Sequence, residues 1–126
     1  MNHQDVVAVT SRSFSNNDFL VHELKKLYSN VLLNYSGKTL KGIELIEFLK
    51  DASKAIIGIE KLSDSDLSKL PNLRVISKYG VGLNNLDLEA LQTRNIKLGF
   101  TPGVNNQSVA EHALTLILTG LKKIQN

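Results

Sequence analysis

The chain contains no cysteine, which excludes disulfides and thiolate metal sites and suits a cytoplasmic protein. It also lacks tryptophan, and its few aromatic residues do not interleave with basic ones, so no base-stacking surface for nucleic acid can be read. No stretch approaches the ~18 consecutive apolar residues of a membrane span. The first residues, Met1-Asn2-His3-Gln4-Asp5, carry no basic region or cleavage site, so no signal peptide is expected. Charge of either sign is nearly balanced, with 15 Lys and Arg against 12 Asp and Glu. The basic residues are scattered, the longest runs being Lys25-Lys26 and Lys122-Lys123, which is the pattern of solvated helix faces rather than a nucleic-acid footprint. Internal repeats, low-complexity segments and linkers are missing too. A chain of 126 residues is therefore read as one globular domain with a sizeable core.

What is present is an alternation. Strand-like runs at Asp5–Thr10, Val31–Tyr35, Lys54–Ile59, Leu73–Ser77 and Asn95–Gly99 are separated by helical patterns at Asn17–Tyr28, Thr39–Leu49, Ser63–Leu70 and Asp87–Thr93. Asp64 and Asp66 sit in the first turn of the third of these helices, where the helix dipole favours them, and Pro71 stops it. Short strands alternating with helices imply βαβ units, hence a parallel sheet covered on both faces. Five strands in this rhythm predict an α/β, flavodoxin-like sandwich with strand order 2-1-3-4-5. Ligands of such sheets lie beyond the carboxyl ends of the strands. The turns to read are therefore Ser11–Asn16, Ile59–Leu62, Tyr79–Asn85 and Phe100–Gln107.

In Tyr79–Asn85, Gly80 and Gly82 flank Val81 between a strand and a helix. Glycines there allow a tight turn and free backbone amides to face an anion. A dinucleotide loop would need a third glycine where Asn85 stands, and an acid about twenty residues later, so this is not a Rossmann phosphate loop. Two readings stay open: a cradle for a small carboxylate, or a βα turn that binds nothing, which the turn alone favours. In the second turn, Pro102 and Gly103 impose a reversal, Asn105 offers an amide donor and a carbonyl, and Ser108 with Glu111 predicts a capping box opening the last helix. Ser11-Arg12-Ser13 could meet a phosphate, but no glycine shapes a cradle there and a solvated loop is the simpler expectation. A receiver domain is excluded, because Thr10-Ser11 and Gly58-Ile59 stand where its acids would be.

His3, His22 and His112 show neither metal-ligand spacing nor a nucleophile–base arrangement, so no catalytic residue and no metal site is assigned. The helix expected over Ser108–Ile124 would span about 25 Å. Its apolar positions, among them Val109, Leu114, Leu116, Ile117 and Leu121, cover an arc of roughly 200°, wider than the ~100° stripe needed to lie on one sheet. The excess calls for a second neighbour, either another domain or a second copy of the chain in a homodimer.

The pattern K-Y-G-V-G-x-N-N-L-D-L-E-A at 78–90, followed by T-P-G-V-N-N-x-S-V-A-E-H-A-L at 101–114, resembles the D-isomer-specific 2-hydroxyacid dehydrogenases, and within them the phosphoglycerate dehydrogenase-like branch of serine biosynthesis. The segments VTSRSFS and AIIGIEKLSDSDLSKLPNLRVIS extend the resemblance over nearly the whole chain. It implies a flavodoxin-like substrate domain (1–100), then a hinge turn and first helix (101–126) leading towards an NAD-binding domain. It also implies that the Gly80, Val81 and Gly82 amides, with Tyr79 opening their turn, hold the substrate carboxylate of a 2-hydroxy or 2-oxo acid. Ile59 and Glu60 would touch substrate from the other side, Asn105 would line the site, and Val81 and Val109 would border NAD. Asn84 and Phe100 depart from the Asp and Asn usual in the family.

The family's dinucleotide motif, clamping Arg and acid–base pair have no counterpart in this sequence. The chain is accordingly expected to be a truncated substrate-binding domain, inactive alone. The rival expectation is a free-standing module that binds a small carboxylate or dimerises without catalysis.

Overall fold

Runs rich in Val, Ile and Leu place five short strands side by side in the computed structural model, which describes residues 5–122. The strands are β1 (Val6–Val9), β2 (Asn30–Leu33), β3 (Lys54–Ile57), β4 (Val75–Lys78) and β5 (Lys97–Gly99). All neighbouring pairs are parallel and the order is β2-β1-β3-β4-β5, as the strand–helix rhythm predicts. The helices are α1 (Arg12–Ser15), α2 (Asp18–Leu27), α3 (Gly42–Leu49), α4 (Asp64–Leu67), α5 (Leu88–Thr93) and α6 (Asn106–Leu121).

Register builds the core. Ala8, Ala55, Ile76 and Leu98 are paired across β1, β3, β4 and β5, so they form one row on one face of the sheet. The two alanines keep that row shallow enough for Leu45 and Leu49 of α3, Leu67 of α4 and Ala90 and Leu91 of α5 to join it in one cluster. Leu45 and Leu49 lie four residues apart on one helical face and are both fully buried, worth about 1.5–3 kcal/mol each relative to exposure. Val7 and Val9 point to the opposite face, where Phe14 of α1 and Val21 of α2 are also buried.

Coverage of both faces extends only part of the way. Beside β4 and β5 the second face stays open: Val75 is half-buried, and Ser77, Lys97 and Gly99 are exposed.

Three local expectations are corrected. Ser11-Arg12-Ser13 is not a loop: Ser11 caps a short helix, its Oγ accepting from the Phe14 amide at 3.3 Å, because a cap residue followed by a buried Phe at the third position can close one turn. The Ser108–Glu111 capping box does not form. The last helix starts two residues earlier with Asn105 as its N-cap, so Ser108 is already inside it and Glu111 accepts from Gln107 Nε2 at 2.9 Å, one turn back. A capping box does form at Ser63–Asp66, on α4. The second helix begins at Gly42 rather than Thr39, since Lys41 is extended.

The most telling element is α6. It contains no buried residue, and Val109, Leu114, Leu116, Ile117, Leu118 and Leu121 are each at least half exposed. The helix does not sink into its own domain. The readings placed on Met1–Gln4, His3, Lys123 and Ile124 lie outside the described residues.

Candidate functional site

Burial of polar groups is costly unless they are hydrogen-bonded, so where a fold tolerates it is informative. Among the described residues the buried polar ones are Thr10, Ser11, Ser15, Asn34 and Glu60, and all five follow the carboxyl ends of β1, β2 and β3. They are bonded to one another and to the backbone. Asn34 Nδ2 donates to the Thr10 carbonyl at 2.8 Å and the Asn34 amide donates to Ser15 Oγ at 3.0 Å. Glu60, only 2% exposed, accepts through Oε2 from Thr10 Oγ1 at 2.7 Å and from the Gly58 amide at 2.9 Å.

Gly58 is small because the approach is close. A Cβ there would lie 3.2 Å from Ser11 Cβ and 3.3 Å from Glu60 Oε2, so a side chain would crowd both and make them give way slightly. The same turn is gripped from the β4 side. Lys78 Nζ donates to the Gly58 carbonyl, and Asn85 Nδ2 donates to the carbonyls of Glu60 at 2.7 Å and Gly58 at 3.2 Å. This explains why position 85 carries Asn: its amide ties two loops together. Burial pushes the Lys78 ammonium below the ordinary lysine range, and the charge of Glu60 works against that shift.

Beyond these turns opens a cavity of about 460 Å³ lined by Ser11, Arg12, Asn16, Ile59, Glu60 and Tyr79, among others. Arg12 reaches across part of it, its Nη1 donating to the Gly37 carbonyl at 3.1 Å. Tyr79 is seated by an edge-on contact with Phe14, with ring centroids 5.3 Å apart. Directly after Tyr79, Gly80 takes φ 142°, a conformation that favours glycine. Among the described residues no hydrogen-bond acceptor meets the amides of Gly80, Val81 or Gly82, and all three residues are exposed. Three successive free amides with a lysine ammonium behind them form a positive patch suited to a carboxylate.

The structure thus brings Ile59, Glu60 and Tyr79 into one cavity, with Gly80, Val81 and Gly82 continuing from Tyr79. Asn105 and Val109 do not line this cavity; both are exposed at the start of α6. Sequence reasoning weighed Ser11-Arg12-Ser13 as a phosphate contact but set it aside for a solvated loop, and gave Asn16 no role of its own. The missed signal was a cap-forming Ser directly after a strand, which turns the chain back over the sheet's end. His22 and His112 are exposed, and neither lines the cavity. Among the described residues no helix is long and apolar enough to cross a membrane.

Comparison with known proteins gives a consistent result. The family model for the D-isomer specific 2-hydroxyacid dehydrogenase catalytic domain matches residues 7–119. Glyoxylate/hydroxypyruvate reductase A of Arabidopsis thaliana is 32% identical over 108 residues, covering 84% of this chain and 34% of that protein. The NAD-bound 3-phosphoglycerate dehydrogenase of Entamoeba histolytica superposes with a TM-score of 0.74 at 23% identity, over 94% of this chain and 40% of that one, a likeness of fold. The Aquifex aeolicus D-lactate dehydrogenase structure, complexed with NAD and lactic acid, superposes with a TM-score of 0.68 at 26% identity, over 91% and 33%. The chain spans about a third of the length of the curated relatives it matches.

Proposed function

Because the chain belongs to the D-isomer specific 2-hydroxyacid dehydrogenase family, we propose that it is the substrate-binding domain of an enzyme that passes a hydride between C2 of a small 2-hydroxy acid and NAD. The observation that carries this reading is the run of unpaired Gly80, Val81 and Gly82 amides, which continues from Tyr79 in the wall of the cavity at the sheet's carboxyl end. Backbone amides fixed by a strand end bind an anion without ordering long side chains, so they can hold a carboxylate while C2 reacts. Residues 1–100 form this substrate domain, and 101–126 lead towards the NAD-binding part. The family resemblance supports Asn105 as lining the substrate from that side, outside the cavity formed within this chain.

The residues of this chain do not themselves make a dinucleotide site. No G-x-G-x-x-G turn occurs in the sequence, and what is offered is apolar surface at Val81 (39% exposed) and Val109 (57% exposed). Both suit the edge of a flat nicotinamide ring rather than the holding of a whole cofactor. NAD, which supplies the hydride chemistry, would be gripped by residues outside this chain.

Within the family, the K-Y-G-V-G and T-P-G-V-N motifs support the phosphoglycerate dehydrogenase-like branch. Relatives named glyoxylate/hydroxypyruvate reductase support a two- or three-carbon acid as substrate. The bare apolar face of α6 supports pairing with a second copy or with the cofactor-binding part.

Two measurements test the reading. The chain alone, given NAD and D-3-phosphoglycerate or D-glycerate, is expected to show no turnover. Nuclear magnetic resonance titration with millimolar 2-hydroxy acids is expected to move the Gly80, Val81 and Gly82 amide signals. Absence of any movement there would sink the carboxylate cradle.

A further inference from the structure

Arg12 is a cation without a counterion. Its Nη1 donates to the Gly37 carbonyl at 3.1 Å, and among the described residues its guanidinium meets no carboxylate. The neighbouring cations are engaged: Lys38 is paired with Glu44 at 2.9 Å, and Lys78 donates to the Gly58 carbonyl. Arg12 and Gly37 both line the cavity of about 460 Å³ at the sheet's carboxyl end. Glu60 borders it too, yet forms no ion pair with Arg12; it accepts instead from Thr10 Oγ1 and the Gly58 amide.

The guanidinium is held in place in advance. Buried Asn34 donates to the carbonyls of Thr10 at 2.8 Å and Lys38 at 3.0 Å and accepts from the Ser36 amide at 3.1 Å. The loop that carries Gly37 is thereby fixed to the end of β1. On the other side, Phe14 packs edge-on against Tyr79, so the turn carrying Arg12 is also held against the residue that precedes the cradle. Binding an anion there orders little that is not already ordered.

Two more donors border the same cavity. Asn16 Nδ2 spends one hydrogen on the Arg12 carbonyl at 2.9 Å and keeps the other. Ser11 Oγ and Ser13 Oγ lie 3.1 Å apart; with Ser11 as donor, the Ser13 hydroxyl hydrogen is left for a ligand. A guanidinium fork, an amide and a hydroxyl match the three acceptor oxygens of a phosphate, more than a carboxylate offers.

We propose that Arg12, with Ser13 and Asn16, forms a phosphate subsite in this cavity. It takes the distal phosphate of a 2-hydroxy or 2-oxo acid whose carboxylate lies on Gly80–Gly82. Its assignment to substrate rests on that cradle, whereas inorganic phosphate finds the subsite unaided.

The experiment follows amide signals of the 126-residue chain at constant ionic strength, titrated with inorganic phosphate, D-glycerate and D-3-phosphoglycerate. Inorganic phosphate is expected to move Ser13, Asn16 and Gly37, and Arg12→Gln should abolish that movement. D-3-phosphoglycerate should move these signals and Gly80–Gly82 together. It should bind roughly tenfold more tightly than D-glycerate, the scale of one hydrogen bond between charged partners. R12Q should remove this preference, and R12K, which keeps the charge but not the fork, should restore part of it. Arg12 is exposed, so neither variant empties the core. Equal binding of the two acids by the wild type overturns the subsite and needs no variant to fold. A preference that survives in R12Q overturns it as well. If phosphate moves Ser13, Asn16 and Gly37 but no acid moves Gly80–Gly82, the cradle fails and the subsite is not one for substrate. Movement of Gly80–Gly82 with Ser13, Asn16 and Gly37 unmoved rejects the phosphate subsite alone.

Discussion

The sheet domain and the last helix use the same apolar residues to opposite ends. Leu45 and Leu49 of α3 are 1% and 0% exposed, whereas Leu116 and Leu121 of α6 are 59% and 75% exposed. Both helices are leucine-rich and of ordinary helical composition, so side-chain type does not separate them. What separates them is a facing surface. α3 meets the row of Ala8, Ala55 and Ile76, while α6 follows the edge strand β5, beside which one sheet face is already open. Hydrophobic content says that a residue would gain from burial, and topology decides what covers it.

The sharpest way to break this comparison is to truncate one leucine on each side. Leu49→Ala should cost about 2–5 kcal/mol, since it empties a site in the core. Leu116→Ala should stay within about 0.5 kcal/mol, since it removes surface already in water. Urea unfolding of both variants checks the pair. A large loss from L116A would mean that α6 is covered after all.

A second test asks what covers it. If α6 pairs with a copy of itself, the sedimentation coefficient of the chain should rise with concentration. Ile117→Glu should then hold the chain monomeric, and its unfolding midpoint should lose the dependence on chain concentration that a wild-type dimer shows. A wild-type chain that sediments as a monomer at all concentrations would assign the helix to another kind of partner.

The smallest effect belongs to the surface of the sheet domain. Lys54, hydrogen-bonded to Asp5 together with Ser53, holds the Asp5 carboxyl below its ordinary 3.8. In return Asp5 holds Lys54 above 10.5. A depressed acid stabilises the fold above its unfolded pKa and loses that contribution as the pH falls through the folded value. A raised base stabilises below its unfolded pKa and loses the contribution as the pH rises through the folded one. Stability should therefore decline both below pH 3.8 and above pH 10.5. Asp5→Asn should flatten both limbs slightly, in step with the modest worth of exposed ion pairs. Thermal melts across pH check it.

Much of this was legible in the residues. Strand order followed from short β-branched runs spaced by helical patterns, because parallel strands need crossovers and crossovers need length. The glycine pair at Gly80 and Gly82 marked a turn at the correct end of the sheet. What could not be read was the company such residues keep. Arg12 and Ser11 look like a solvated turn until β1 and β3 are set side by side, 45 or more positions apart in the chain, and their ends enclose one cavity. The family resemblance singles out Glu60, but its burial against Thr10 Oγ1 is not legible until the ends of β1 and β3 are set side by side. The capping box was misplaced for a local reason. S-x-x-E fits equally well within a helix, where Gln107 and Glu111 pair one turn apart.

The central claim is that the sheet domain carries the substrate cradle while α6 awaits a partner. Hydrogen–deuterium exchange of the chain, with and without saturating D-glycerate, tests it most directly. Slowed exchange over residues 79–85 with no change over 106–121 is the predicted result. Unchanged exchange at 79–85, or protection confined to α6, would contradict it.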